Sequence, residues 1–213
     1  MAAVSHGGFG PTAGDARTTS MGLVRSGGVA AVLAGVVMAV HEWWDARVPG
    51  IQEGVVPSAL HSTWVGLMCM AFLGLGALQW HAFGRFGRSA SALAVVGSGS
   101  LFVLALKETW GFHRSAGAAS GDPSLPVLAL IFAVFGCYVA GLLLFSVATI
   151  WAGVLPRAAG LFLLMSVLLK MFASAVLPGT LALMGAAFAT LGLSALRAAR
   201  PPGTVEAEPS GSS

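Results

Sequence analysis

Six stretches of the chain are nearly free of charged residues and of a length suited to crossing a bilayer. About 20 consecutive apolar residues are needed to span the hydrocarbon core as a helix. Stretches of this kind lie at 20–44, 58–82, 89–110, 125–153, 157–177 and 179–197. Pro178 and Gly179 separate the last two, and a Pro-Gly pair favours a tight turn over a continued helix. The pattern predicts an all-α, polytopic transmembrane helix bundle of about six helices.

The two ends of the chain do not follow this pattern. Residues 1–19 are rich in Gly, Ala and Ser without an apolar core, which is typical of a mobile tail and unlike a signal peptide. Residues 200–213 combine prolines, glutamates and serines, a composition typical of disorder. The predicted organisation is therefore a six-helix transmembrane domain at 20–199 between two tails.

Spacing of small residues indicates how the helices pack. The first helix has Gly27, Ala31, Gly35 and Ala39 at every fourth position, and the last has Ala182, Ala186, Thr190 and Ser194. Such rows allow two helix backbones to approach closely inside a membrane. We expect these rows to form helix contacts in a compact bundle.

Composition supports the membrane assignment. Hydrophobic residues make up 56% of the chain and charged residues 9%, with a mean hydropathy of +0.85, whereas a soluble domain has roughly 25% charged residues. The formal net charge of +3 is small and scattered, and no basic run is interleaved with aromatics, so nucleic acid is not an expected partner. The expected partners are the lipid bilayer and a lipid-soluble small molecule.

Arginine positions predict the orientation, because cytoplasmic loops of membrane proteins carry an excess of basic residues. With the N-terminus in the cytoplasm, only Arg47 and Arg114 fall outside. The remaining arginines, Arg17, Arg25, Arg85, Arg88, Arg157, Arg197 and Arg200, fall inside. We predict a multi-pass protein of a bacterial inner membrane with both termini cytoplasmic.

The sequence gives no motif for a metal or a cofactor, and we predict neither. Cys69 and Cys137 lie in separate apolar stretches without the spacing of a zinc site. The chain has no HExxH motif, no Gly-x-Ser-x-Gly elbow and no phosphate-binding loop.

Polar and aromatic residues gather at the predicted outer end of the bundle. The ends of the first three helices supply His41, Glu42, Trp43, Trp44, His61, Trp64, Glu108 and Trp110. Lys170 follows Arg157 by thirteen residues, or about 20 Å along the fifth helix, in the outer half of the membrane. Charges at such depths are rare and usually functional.

We predict that Glu108, Glu42, His61 and Lys170 are catalytic residues around a partly buried cavity. A carboxylic acid shielded from water can stay protonated and act as a general acid. Trp43, Trp44, Trp64, Trp110 and His41 are predicted to bind substrate, since indole faces stabilise cations.

Two structural alternatives remain open. These residues are also typical of helix ends that reach the headgroup region, with tryptophans in an interfacial belt. The second alternative is that Glu108 and Lys170 form an ion pair with a purely structural role.

Part of this pattern resembles a known group of proteins. His61 and Trp64 at the start of the second helix, Glu108 at the end of the third and the turn at 152–157 resemble uncharacterised six-helix membrane proteins of actinobacteria, over 27–197. The chain's size and its membrane-edge carboxylates beside tryptophans are more distantly similar to small integral-membrane terpene cyclases of meroterpenoid pathways, although fungal members have seven helices. That resemblance implies that Glu108 or Glu42 protonates an isoprenoid olefin or epoxide.

The leading functional hypothesis is an integral-membrane enzyme that uses a membrane-edge carboxylic acid on a lipid-soluble substrate, most concretely in acid-initiated cyclisation of an isoprenoid chain. A small transporter or proton-coupled membrane protein is the alternative, motivated by Lys170. A non-catalytic membrane partner protein is a third possibility, and we would expect it to have a solid outer end without a cavity.

Overall fold

The computed structural model describes residues 13–47, 55–114, 125–173 and 177–199, without the side chains of 13–20, Glu108 and 110–114. In these ranges the regular elements are α-helices, which confirms the all-α prediction. They are α1 (Ala13–Arg47), α2 (Val55–Gln79), α3 (Arg85–Arg114), α4 (Leu125–Ala152), α5 (Arg157–Ala173) and α6 (Thr180–Ala198).

The helix bounds differ from the predicted bounds where hydrogen bonding or backbone conformation intervenes. Helix α2 ends at Gln79, three residues early, because the Ala82 and Phe83 N–H groups both bond to the Gln79 carbonyl and close a turn. Helix α4 ends at Ala152, where Gly153 takes a left-handed conformation with φ of 64°. Helices α1 and α3 both extend beyond the apolar stretches, and α1 begins seven residues before the predicted start at 20. The predicted C-terminal tail lies outside the described residues.

Five of these helices are long and apolar enough to cross a membrane. The spans are Met21–Arg47, Val55–Gln79, Arg85–Lys107, Leu125–Ala152 and Thr180–Ala198. Helix α5 has 17 residues in its described part, or about 26 Å. The chain thus has the helices of a multi-pass membrane protein, and its orientation stays a prediction.

The helices form a closed ring in chain order. Each packs against the helix before it and the helix after it, and α6 returns to pack against α1. Inside the ring lies a phenylalanine cluster, Phe72, Phe145 and Phe188, one residue each from α2, α4 and α6, all fully buried. Their rings meet edge to face, with Phe72 centred 5.0 Å from Phe145 and 5.5 Å from Phe188.

Glycines set the closest helix contacts. Gly35 of α1 lies against Gly185 of α6, and Gly27 of α1 lies against Gly74 of α2, so that a Cβ on any of them would collide with the facing backbone. The predicted row on α1 therefore forms contacts at Gly27, Ala31 and Gly35, whereas Ala39 is exposed. The predicted row on α6 is wrong as a contact face, because Ala186 and Thr190 are exposed.

Candidate functional site

A cavity of about 470 Å³ lies at one end of the ring and is lined by residues of all six helices. This volume is typical of a small-molecule site. We call this end the polar end, because the cavity's polar side chains are His41, Asp45, His61 and Lys170. The rest of its wall is apolar or aromatic.

Helix α1 contributes an acid and a base on one face. His41 and Asp45 are four residues apart, which places them one turn from each other. His41 Nδ1 lies 3.2 Å from Asp45 Oδ2, close enough for an ion pair when the imidazole is protonated, although the two atoms do not meet the geometry of a hydrogen bond. Both side chains are partly buried.

Three aromatic rings connect α1 to α2 at the cavity wall. The centroids of His41 and His61 are 6.1 Å apart, those of His61 and Trp64 are 4.9 Å apart, and both pairs are edge to face. Trp64 is buried, and its indole N–H has no hydrogen-bond partner among the described residues. This row holds His61 at the cavity with its ring orientation set by two neighbours.

Helix α5 delivers the cavity's lysine. Lys170 is half-buried and lines the cavity together with Val167 and Met171 of the same helix. The structure thus brings four of the predicted site residues to one cavity, namely His41, His61, Trp64 and Lys170.

Glu42 points elsewhere. Its carboxylate accepts hydrogen bonds from the backbone N–H groups of Gly179, at 2.7 Å, and Ala182. These N–H groups form the start of α6, where the helix dipole is positive and favours an anion. Glu42 therefore fastens α1 to α6 and is not among the cavity-lining residues.

Arg25 makes the corresponding contact at the other end of α6. Its guanidinium donates a hydrogen bond of 3.3 Å to the carbonyl of Ala199, just past the last helical residue. Carbonyl groups at a helix C-terminus favour a cation. Helix α1 thus caps α6 with an acid at one end and a base at the other.

The remaining predicted residues fall into two groups. The side chains of Glu108 and Trp110 lie outside the described residues. Trp43 is exposed with the Arg47 guanidinium 5.4 Å from its ring centre, and Trp44 is half-buried but does not line the cavity.

The backbone position of Glu108 is nevertheless defined by its neighbour. Thr109 Oγ1 lies 2.8 Å from Ser62 Oγ and 3.2 Å from the Ser58 carbonyl oxygen. These hydrogen bonds tie the end of α3 to the start of α2, one residue from His61. Glu108 therefore belongs to the polar end by its place in the chain.

Comparison of this chain with protein-family models, curated proteins and solved structures finds no match. The resemblances to actinobacterial membrane proteins and to terpene cyclases stay predictions. A helix bundle alone is compatible with many functions, so the cavity is the feature that bears on function.

Two polar side chains of the cavity wall, those of Asp45 and Tyr138, are absent from the predicted site. The spacing of four between His41 and Asp45 is a usable signal for a pair. Tyr138, the single tyrosine of the chain, is buried in α4, and its hydroxyl lies 3.6 Å from Met68 Sδ. An isolated tyrosine in an apolar run gives no signal that it will line a cavity.

The cavity ends at the phenylalanine cluster. Leu142 and Met184 line the cavity, and Phe145 and Phe188 follow them by about one turn on α4 and α6. Beyond the cluster the core continues with Leu75, Leu163 and Leu191, all fully buried. The cavity therefore reaches only part of the way through the ring.

Proposed function

We propose that this chain is an integral-membrane enzyme of a bacterial inner membrane that binds a lipid-soluble substrate in the cavity and acts on it by proton transfer. The supporting observation is that an acid, two imidazoles and an ammonium group line one otherwise apolar cavity. The most concrete reaction is acid-initiated cyclisation of an isoprenoid chain.

The residues suggest a division of roles. Asp45, in its protonated form, gives a proton to a terminal olefin carbon or epoxide oxygen, which breaks the π bond or a C–O bond and leaves a carbocation. A second double bond attacks this cation, and a ring C–C bond forms. His61 takes up the proton that is lost in the last step, so the product is an isomer of the substrate. The proton returns to Asp45 through His41, whose ring lies beside both, and the starting state is restored.

Aromatic rings support the cationic stage. Trp64 and Tyr138 are part of the cavity wall, and the faces of such rings stabilise positive charge. Glu108 is the second candidate acid, because its backbone lies beside the Thr109–Ser62 contact at the same end. Glu42 is a weaker candidate, since its carboxylate is bonded to α6.

The experiment is turnover of a farnesylated phenol and its terminal epoxide by the full chain in lipid nanodiscs. We expect a product of unchanged mass and shifted retention, with a new ring identified by NMR. Asp45→Asn should lower the rate by about 100-fold or more, the range of a general acid. A matched control is Ser194→Ala, a small change on α6 away from the cavity.

Absence of any cyclised product would contradict this reaction. Turnover as fast as that of the unchanged chain in both Asp45→Asn and Glu108→Gln would contradict it as well. Labelling of the cavity by a prenyl compound would then still identify a lipid-binding protein.

The transporter alternative receives less support. A path across the membrane needs polar groups along its length, whereas the phenylalanine cluster lies between the cavity and the buried polar pair beyond it, Gln79 and Thr149. Proteoliposome flux that depends on Lys170, lost in Lys170→Met, would favour it. The partner-protein alternative predicted a solid polar end, and a cavity of about 470 Å³ argues against it.

A further inference from the structure

One side of the cavity wall reaches the outer surface of the ring. Phe135 of α4 and Met171 of α5 line the cavity and are also 48% and 43% exposed. The other apolar lining residues are buried or half-buried. Because α4 and α5 are neighbours, these two side chains mark a gap between them.

The gap follows from how α4 and α5 pack. Near their short connection they are in close contact, since a Cβ on Gly160 of α5 would lie 2.8 Å from Ile150 Cγ1 of α4. Toward the polar end a Cβ on Gly136 of α4 would meet nothing within 4 Å, and α4 residues 125–133, which extend past the described end of the shorter α5, are all exposed. Helix α5 thus covers α4 near the connection and leaves its polar end open.

Three other helix pairs make close contacts toward the polar end. Gly35 against Gly185 and the Glu42 cap close the α1–α6 pair. Gly97 approaches the Tyr138 backbone between α3 and α4. The Ser62–Thr109 contact joins α2 to α3.

We propose that the cavity's ligand is an elongated lipid with a single apolar chain, prenyl or acyl, that enters from the bilayer through this gap. Its reactive end lies among His61, Asp45 and Lys170, and the rest of its chain lies between Phe135 and Met171. The apolar rim favours this class, because a chain in the gap stays in hydrocarbon while a water-soluble ligand would have to cross it. The inference rests on the proposed function for the use of the cavity and adds the substrate's shape and route.

The test is photolabelling of the full chain in phosphatidylcholine nanodiscs with a farnesyl phenol that carries a mid-chain diazirine. We expect labelled peptides that contain Phe135 and Met171, and loss of that label when unmodified farnesyl phenol competes. A second probe with its diazirine beside the phenol should label the peptide with His61 and Trp64. In the double variant Phe135→Trp, Met171→Trp, this label should fall roughly tenfold, equivalent to about 1.4 kcal/mol.

Matched control positions lie close to the gap residues on the same two helices. Phe132 and Phe172 are 67% and 83% exposed and do not line the cavity, so Phe132→Trp with Phe172→Trp should leave labelling unchanged. Met171→Phe alone is a milder variant in case the double variant loses its sharp gel-filtration peak, and it should give a smaller decrease in the same direction.

The outcomes separate this inference from the proposed reaction. Cavity labelling that is equal in the gap variants and the controls would overturn entry between α4 and α5 and leave the enzyme proposal intact. Labelling that depends on the gap without any cyclised product would support the inference and overturn the reaction. No competable labelling at all would overturn the lipid ligand and with it both proposals.

Discussion

At the scale of single residues, two acids at the polar end of α1 have different positions: one binds a neighbouring helix and the other lines the cavity. Glu42 and Asp45 are three residues apart on α1, yet Glu42 bonds to α6 while Asp45 lines the cavity. The sequence places both at the end of the helix but contains no local signal for their directions. Glu42's partners lie 137 and 140 residues away, so only the packed ring decides its role.

Replacing Glu42 tests the cap. Glu42→Ala should lower the free energy of unfolding by about 1–2 kcal/mol, because it removes two hydrogen bonds and a favourable charge at the start of α6. Glu42→Gln should have a smaller effect, since one oxygen still accepts. Thermal unfolding in a mild detergent measures both.

Turnover per folded molecule should survive in Glu42→Gln if Asp45 is the acid. Loss of turnover with normal stability would instead favour the role that the sequence first suggested for Glu42.

The Ser62–Thr109 contact gives a second measurable effect. Hydrogen bonds between transmembrane helices contribute about 0.6 kcal/mol on average. A double-mutant cycle of Ser62→Ala and Thr109→Val should therefore give a coupling energy of roughly that size. Zero coupling in unfolding measurements would mean that the two hydroxyls contribute independently to stability.

At the scale of helices, apolar length predicted the elements and small residues predicted only some of their contacts. The row on α1 meets α2 and α6 through Gly27 and Gly35. On α6 the contact runs instead through Gly185 and Gly192. Several rows of small residues coexist on an Ala- and Gly-rich helix, and spacing alone does not decide which row faces a neighbour.

Glycine substitutions separate contact positions from open ones. Gly35→Ala should destabilise the ring by about 1–3 kcal/mol, because its methyl group would overlap the α6 backbone. Gly136→Ala on α4 has open space around it and should be neutral or stabilising by up to about 1 kcal/mol through helix propensity. Equal effects of the two in thermal unfolding would contradict the packing described for α1 and α6.

At the scale of the whole molecule, the shared level of His41, His61 and Lys170 along the bundle was predictable from their distances to helix ends, and these residues do line one cavity. Their level follows from the number of residues between each of them and the end of its helix. The closure of the ring by α1 and α6 was not predictable, because it depends on contacts between the two ends of the chain.

Topology provides a test of the arginine distribution. If all six helices cross the membrane, both termini lie on the same side, and the predicted side is the cytoplasm. Green fluorescent protein should fluoresce when fused at either end, and alkaline phosphatase should be active when inserted in the 115–124 connection and inactive at either end. Termini on opposite sides would mean that one helix, with α5 the shortest candidate, does not cross.

The phenylalanine cluster has a consequence for the cell. If the cavity transfers protons as proposed, its end at Phe72, Phe145 and Phe188 limits proton exchange to one compartment. Such a protein could be abundant in an energised membrane without draining the electrochemical gradient that drives ATP synthesis. A smaller side chain at Phe145 would then be expected to harm growth through leakage before it harms the chemistry.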